Sequence, residues 1–431
     1  MVTKATDDAL LLIFDNFSGP ARISWPDDQY DDIRAGAPFQ LASVCRRWRE
    51  LALETSTLWT YFGFPLRHNL HGPHLIRLQD LILRSGQAPI DVLFTYRLEG
   101  SADDGDELPA SARILDSLLA LVSRWRSARV CMPDSLITSY LQHNLAQEAP
   151  ILEQLYLTSY ASVLEIPSAP FLARLCLDTF KKGDLQCSSA LPNLRSLIVF
   201  SADGIVTELM CKTYAHQLVD LCISDDLWNE GFGPVDFACL RKLSLDDASY
   251  LSRVRAAGLH TLAVNTGMLK TQTAPSLSQF MSLDHLILHG RMRDGSLTVI
   301  QNFSTISRLS FAVPAEISST ILSRHGYAIA NRFFEDFSTS SACPQLAHIS
   351  FSPDADQLDF VELDAFVRSR TVQLDTVSQG ELRSQVNPRR LCSVVVDCEK
   401  LVPDGFHDKI HQYLNPSGVK SDTVPAASIR E

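Results

Sequence analysis

At 431 residues the chain is longer than a single compact core usually grows, which implies about two or three domains or an extended repeat array. A hydrophobic content of 45% is that of a folded globular protein, and no run of about 18 uncharged apolar residues occurs, so no transmembrane helix is predicted. The formal net charge of -12 argues against a general nucleic-acid or anionic-membrane surface, since both require a cationic face.

The opening MVTKATDDALLLIF is a poor secretory signal, and the reading is of an intracellular protein, cytoplasmic and/or nuclear. The 10 cysteines are scattered and fit a reduced compartment. The close pairs Cys176/Cys187 and Cys392/Cys398 lack C-x-x-C spacing, which excludes a recognisable zinc or disulfide framework.

In chain order, Asp7 to Phe17 predicts a first helix, with Leu10, Ile13, Phe14 and Phe17 at i, i+3, i+4 and i+7. The acidic stretch RISWPDDQYDDIRAGAP is punctuated by Pro26, Gly36 and Pro38 and reads as a loop. The run Leu41 to Trp59, LASVCRRWRELALETSTLW, then places Leu41, Val44, Cys45, Trp48, Leu51 and Ala52 on one helical stripe that requires a partner surface.

A short amphipathic helix, then L-x-x-V-C-R-R-W-R-x-L-A, a Ser/Thr-containing turn and Leu58-Trp59 resembles the F-box, over roughly the first sixty residues. The resemblance implies docking on a Skp-type adaptor and, through it, a cullin scaffold. The implied adaptor-binding residues are Leu10, Phe14, Leu41, Val44, Trp48, Leu51 and Trp59. Thr6-Asp7-Asp8 stands where that family has Leu-Pro, and the connection between the helices is long. The alternative for the same helices is a cap over the open end of a repeat array.

Downstream, Leu66 to Leu83 reads as a connection ending in a helix, with Gly86 as its C-cap. Ile90, Val92 and Phe94 alternate as a strand, and Ala110 to Trp125 reads as a helix. From Leu152 an L-x-x-L-x-L unit recurs, starting at Leu152, Leu172, Leu194, Leu218, Leu240, Leu259, Leu283, Ile306 and Leu346. Successive starts lie 20, 22, 24, 22, 19, 24, 23 and 40 residues apart, and all but the last fall in or beside the leucine-rich-repeat range.

The fold class expected is therefore α/β: a small N-terminal helical F-box-like module followed by an irregular leucine-rich-repeat solenoid. The divisions are 1–65 for the module, 66–412 for the solenoid with an insertion near 312–345, and 413–431 for a frayed tail. Asparagine is absent two residues beyond the final leucine, where Tyr160, Phe180, Asp226 and Ala248 stand, which predicts irregular turns. Phe360 to Val367 reads as a helix and Leu391 to Val396 as a last strand.

Residues alternating with the inward leucines are expected to face solvent on the concave side. Tyr156, Arg174, Phe200, Lys242, His289 and Arg308 are the candidates for binding a target protein, because aromatic and arginine side chains dominate interface energetics. Asp178, Asp220, Asp246, Asn265, His285 and His348 share that face. His68, His71 and His74 could offer three imidazoles, but Gly72-Pro73 interrupts them and no metal or other cofactor is expected. His285 and His289 sit four apart on a predicted strand, roughly 13 Å from each other, too far to share a zinc. No phosphate loop, dinucleotide fingerprint, nucleophile elbow or kinase motif occurs, so the chain is read as a non-enzyme. The function expected is the substrate receptor of an SCF-type ubiquitin ligase, binding an unspecified target protein and neither nucleic acid nor membrane. A repeat scaffold without a ligase role and a metal-dependent hydrolase are the rivals.

Overall fold

The computed structural model describes residues 6–18, 32–66, 71–96, 108–131, 148–158, 163–178, 184–187, 191–200, 204–224, 233–246, 248–265, 280–289, 305–312, 334, 343–351, 359–372, 391–396, 403 and 405–414. The protein is mixed α/β, and its main sheet is open and mostly parallel, with 13 strands. Two compact units divide the chain, the first running through Asp246 with Arg253–Ala256 and the second holding most of the remaining C-terminal residues.

The first unit starts with α1 (Asp7–Ser18), α2 (Asp32–Val44) and α3 (Arg46–Glu54), which touch one another. Asp7 and Asp8 sit in the first turn of α1, where the exposed amides favour negative charge. The loop expected over residues 22–38 is corrected at its end, because α2 begins at Asp32 and contains Gly36 and Pro38. Proline removes the amide that would bond the Arg34 carbonyl, and one residue further on the Arg77 guanidinium donates to the Ala35 carbonyl at 3.3 Å.

The single helical stripe over Leu41–Ala52 is also corrected. Cys45 is extended, with φ -160° and ψ 173°, and separates α2 from α3. A 3-10 turn, Ser56–Trp59, closes the run. Arg49 Nε donates to the Ala42 carbonyl at 2.9 Å, taking one of the acceptors that a helix end leaves open. Periodicity alone runs straight through a break that these partners stabilise.

Next come β1 (Tyr61–Leu66), α4 (His71–Ser85), β2 (Ile90–Tyr96), α5 (Leu108–Leu119) and β3 (Trp125–Cys131). β1 is a strand that the sequence pattern does not reveal. Gly72 and Pro73 fall in the first turn of α4, where proline is tolerated, so a helix starts inside the histidine segment. Gly86 takes φ +55° immediately after α4, as a C-terminal glycine should. The helix expected through Trp125 ends at Leu119, and Trp125 opens a strand instead. Its indole Nε1 donates to the Leu118 carbonyl at 3.2 Å. Trp59 Nε1 donates in the same way to Ala52 at 2.7 Å. Each bond runs to a carbonyl 7 residues back and fixes a helix-to-strand corner.

The remaining strands are β4 (Gln154–Thr158), β5 (Val163–Ile166), β6 (Arg174–Asp178), β7 (Asp184–Cys187), β8 (Ser196–Phe200), β9 (Asp220–Ser224), β10 (Val235–Asp236), β11 (Lys242–Leu245), β12 (Val254–Arg255), β13 (Thr261–Asn265), β14 (His285–His289), β15 (Arg308–Phe311), β16 (His348–Phe351) and β17 (Ser393–Val396). In the first unit the sheet order is β1-β2-β3-β4-β6-β8-β9-β11, and in the second it is β13-β14-β15-β16-β17. The side pairs β5–β7 and β10–β12 are parallel as well. α6 (Gly204–Tyr214) follows β8.

Every L-x-x-L-x-L start read from sequence lies two residues before a strand of the main sheet, and Leu391 does the same before β17. All of these starting residues are buried. In most units the residue before the strand carries a carbonyl that accepts two successive amides of the next unit. Glu153 takes those of Ala173 and Arg174 at 2.9 and 3.1 Å, and Asp284 takes those of Ser307 and Arg308, both at 2.9 Å.

In the second unit, α7 (Phe360–Val372) and α8 (Phe406–Leu414) accompany the sheet. Phe311 and Phe351 stack with centroids 5.1 Å apart, and Phe334 meets Phe351 and Phe366 at 6.0 and 5.6 Å. Of the inserted segment expected near 312–345, Ala312, Phe334 and Cys343–Gln345 fall among the described residues, and of the tail from 413 only Tyr413 and Leu414. Of the four missing-asparagine positions only Ala248 is described, in a 3-10 turn. Among the described residues no helix is long and apolar enough to cross a membrane.

This packing makes two expectations testable. Asp91 is buried between β2 and β3, where Arg126 Nε and Ser127 Oγ donate to it at 3.0 and 2.7 Å, and that carboxylate raises the Arg126 guanidinium above its ordinary value. Asp91→Ala strands the guanidinium and is expected to cost about 3 kcal/mol in urea denaturation. Cys45, Cys131, Cys176, Cys211, Cys222, Cys239, Cys343 and Cys392 are in no disulfide; burial holds the Cys211 and Cys343 thiols up at about 12, whereas Cys45 and Cys392 are exposed. Alkylation of the native protein at neutral pH, read by peptide mass spectrometry, is expected to modify Cys45 and Cys392 and to spare Cys211 and Cys343.

Candidate functional site

Two surfaces carry the candidate residues. On the N-terminal helices the V-C-R-R-W-R segment is largely committed inside the chain. Arg46 bonds Glu50 one turn on at 2.8 Å, Arg47 Nε reaches Asp7 Oδ1 at 2.8 Å, and Arg49 caps α2. Trp48 meets the Phe14 ring edge-on with centroids 5.5 Å apart. Asp7, one of the residues standing in place of Leu-Pro, therefore ties α1 to α3.

The seven adaptor candidates do not share one environment. Leu10, Phe14, Leu41 and Trp59 are buried, Trp48 and Leu51 are half-buried, and Val44 is 55% exposed. Trp59 is enclosed by the Phe39 edge at 5.2 Å and by the Arg84 guanidinium at 4.4 Å. The large apolar side chains that face solvent from these helices are Leu12 at 67%, with Ile13, Phe39, Val44 and Leu53. Of these, only Val44 is among the residues that the F-box resemblance implies. The sequence does carry a signal for Leu12 and Ile13, since the unbroken run Leu10–Phe14 is wider than any one helical stripe can bury. Phe39 lies directly after the segment that reads as a loop, where no helical face is expected.

The second surface is the sheet face that alternates with the leucines. In the first unit Gln154, Arg174, Ser196, Asp220 and Lys242 stand in register along one row. Arg174 and Lys242 are half-buried there. Two residues further along each strand run Tyr156, Cys176, Ile198, Cys222 and Ser244, all buried. The expectation that this alternate set faces solvent is thus corrected for Tyr156 at 2%, Phe200 at 3% and His289 at 0% exposure, and for Asp178. The leucine-to-polar alternation tells which face a residue takes and says nothing of what lies over that face.

Tyr156 sits in a buried polar ladder. The Arg129 guanidinium lies 4.4 Å over its ring, and its hydroxyl donates to Asp178 Oδ2 at 3.0 Å. Burial first, then the neighbouring Cys176 and Asp178, lifts the phenol far above its ordinary value.

In the second unit the corresponding row is Thr261, His285, Arg308, His348 and Ser393. Arg308 and His348 are exposed. His285 Nε2 lies 2.8 Å from Ser310 Oγ, Ser350 Oγ donates to Ser310 Oγ at 2.8 Å, and His348 Nδ1 lies 2.8 Å from Ser393 Oγ. His285 and His289 occupy the two ends of β14, as a strand reading requires.

Of the histidine segment, His68 lies outside the described residues, and His74 packs edge-on to Phe64 with centroids 6.1 Å apart. Among the described residues no three His, Cys, Asp or Glu side chains form a group that could hold a metal ion. A scan of protein-family models gives no match, and a search of curated proteins gives none either.

Tyr156→Phe removes one buried hydrogen bond and is expected to cost about 1 kcal/mol near neutral pH. The unfolded phenol ionises near 10.0 and the folded one well above, so its contribution is complete below that value and is lost as pH rises past it. Denaturation curves taken through that alkaline range should therefore fall more steeply for the native sequence than for Tyr156→Phe.

Proposed function

We propose that the chain is the substrate-recognition subunit of an SCF-type cullin-RING ubiquitin ligase, with an F-box-like helical module that docks a Skp-type adaptor and a leucine-rich-repeat solenoid that binds a target protein. The observation that carries the adaptor half is the set of large apolar side chains left exposed on three mutually packed helices, Leu12, Ile13, Phe39, Val44 and Leu53. These helices bear the V-C-R-R-W-R motif, and apolar groups left exposed in and beside it are what a docking surface on this module would use. The array half is supported by the constant offset between each buried repeat start and its strand, which is what stacking of near-identical units requires.

In this reading the chain supplies no catalytic group. Holding a target lysine near a charged conjugating enzyme raises effective concentration, and the chemistry belongs to other subunits. The protein acts inside the cell. Target contacts are assigned to Arg174, Lys242 and Arg308, the accessible members of the candidate set, whereas Tyr156, Phe200 and His289 are buried further along their strands.

A scaffold without a ligase role is the second reading. It is favoured by the burial of Leu10, Phe14, Leu41 and Trp59, which would be the core of a terminal cap. The two part company on adaptor binding. Purified full-length protein mixed with a Skp-type adaptor is expected to elute with it in size-exclusion chromatography, and Val44→Asp, at an exposed position, is expected to weaken that complex at least about tenfold with unchanged circular dichroism. Trp48→Asp should abolish it, though its contact with Phe14 makes the fold check necessary. Failure of the native protein to bind, or full binding by Val44→Asp, selects the scaffold.

A further inference from the structure

The five strands β13–β17 read TLAVN, HLILH, RLSF, HISF and SVVV, and none contains an aspartate or glutamate. The chain as a whole carries 50 acidic residues and a net charge of -12. In the first unit β2, β6 and β9 carry Asp91, Asp178 and Asp220, the first two buried, while β1, β3, β4, β8 and β11 hold no acid. On the polar face of the second unit, His285, Arg308 and His348 stand at one register level on three adjacent strands. Parallel strands lie about 4.8 Å apart, so the three groups span about 10 Å. Ser310 and Ser350 lie one step further along the same face and are hydrogen-bonded to each other.

Within this row the imidazoles are already held by hydroxyls, His285 by Ser310 and His348 by Ser393, which fixes their orientation. The Arg308 guanidinium between them is exposed and has no side-chain partner among the described residues. An exposed arginine presents five donors in a planar fork suited to a carboxylate.

We infer that the polar face of β13–β17 docks an extended acidic segment of a partner protein, with Asp or Glu carboxylates crossing the strands over His285, Arg308 and His348. The inference rests on the target-binding half of the proposed function and is independent of adaptor docking. Charge complementarity selects the occupant: strands without an acid that present an exposed guanidinium between two imidazoles favour an anionic chain on a protein of net charge -12. Carboxylates fit better than a phosphate because the donors are strung along a row instead of converging on one point.

Fluorescence anisotropy of the full-length protein with a labelled Glu-Ser repeat peptide tests this, against its Gln-Ser counterpart and one with phosphoserine replacing glutamate. Binding of the Glu peptide alone among the first two, weakening with added salt, is expected, as is a loss of about tenfold in Arg308→Glu and a smaller loss in His348→Gln. Equal binding of the Gln peptide, no binding of the Glu peptide, binding of the phosphoserine peptide only, or unchanged affinity in Arg308→Glu would each overturn it. Arg308→Glu should keep the native circular dichroism and any adaptor complex, so loss of peptide binding there and loss of adaptor binding in Val44→Asp report on separate claims.

Discussion

The bond pattern on which the sheet depends is the carbonyl that serves two amides. Glu153, Ala173, Arg195 and Val219 in the first unit, and His260, Asp284, Ser307 and Ala347 in the second, each accept from two successive residues of the following unit. A carbonyl held this way pins register to a single residue. A slip of one position would turn every inward leucine to the polar face, at a cost no short strand could recover. The buried residue two positions before each strand works on the same point, since it enters the core only when that register is kept. Side chains reinforce it from outside, with Asn193 donating to Pro170, Gln217 to Leu191 and Thr305 to Leu283.

Register has a chemical consequence. Because neighbouring strands are aligned first residue to first residue, the identity of that residue in each unit becomes a continuous row. In the first unit the row holds charges of both signs, with Ser196 between Arg174 and Asp220 and with Asp220 beside Lys242. In the second it is cationic and hydroxylic without any acid. The buried ladder Arg129–Tyr156–Asp178 shows the other use of the same alignment. There a charge that would be costly alone is spread over an aromatic face beside a carboxylate, and the groups order the sheet instead of meeting solvent.

The amino-terminal helices obey a different rule. Tryptophan decides where they stop: Trp59 and Trp125 each reach back to a helix carbonyl and turn the chain into a strand. Once Trp59, Phe14 and Leu41 are used for that core, the helices still carry more apolar surface than their mutual contacts can cover. The V-C-R-R-W-R segment is mostly committed to internal bonds and, Val44 apart, the large apolar side chains left exposed beside it are others.

Sequence by itself determined the periodic part. The L-x-x-L-x-L spacing placed the strand that follows each unit's start and the inward direction of its leucines, because successive residues of a strand take opposite faces. It also determined that Arg308 and His348 would share a face. Only the tertiary structure decided what covers each face, which is why Tyr156, Phe200 and His289 are buried although their alternation pointed to solvent. It alone decided the helix through Pro38, and it alone decided the break at Cys45 and the strand at Trp125, each held by a side chain bonded to a helix carbonyl that composition does not encode. Local pattern fixes the direction of a side chain; burial is a property of everything packed around it.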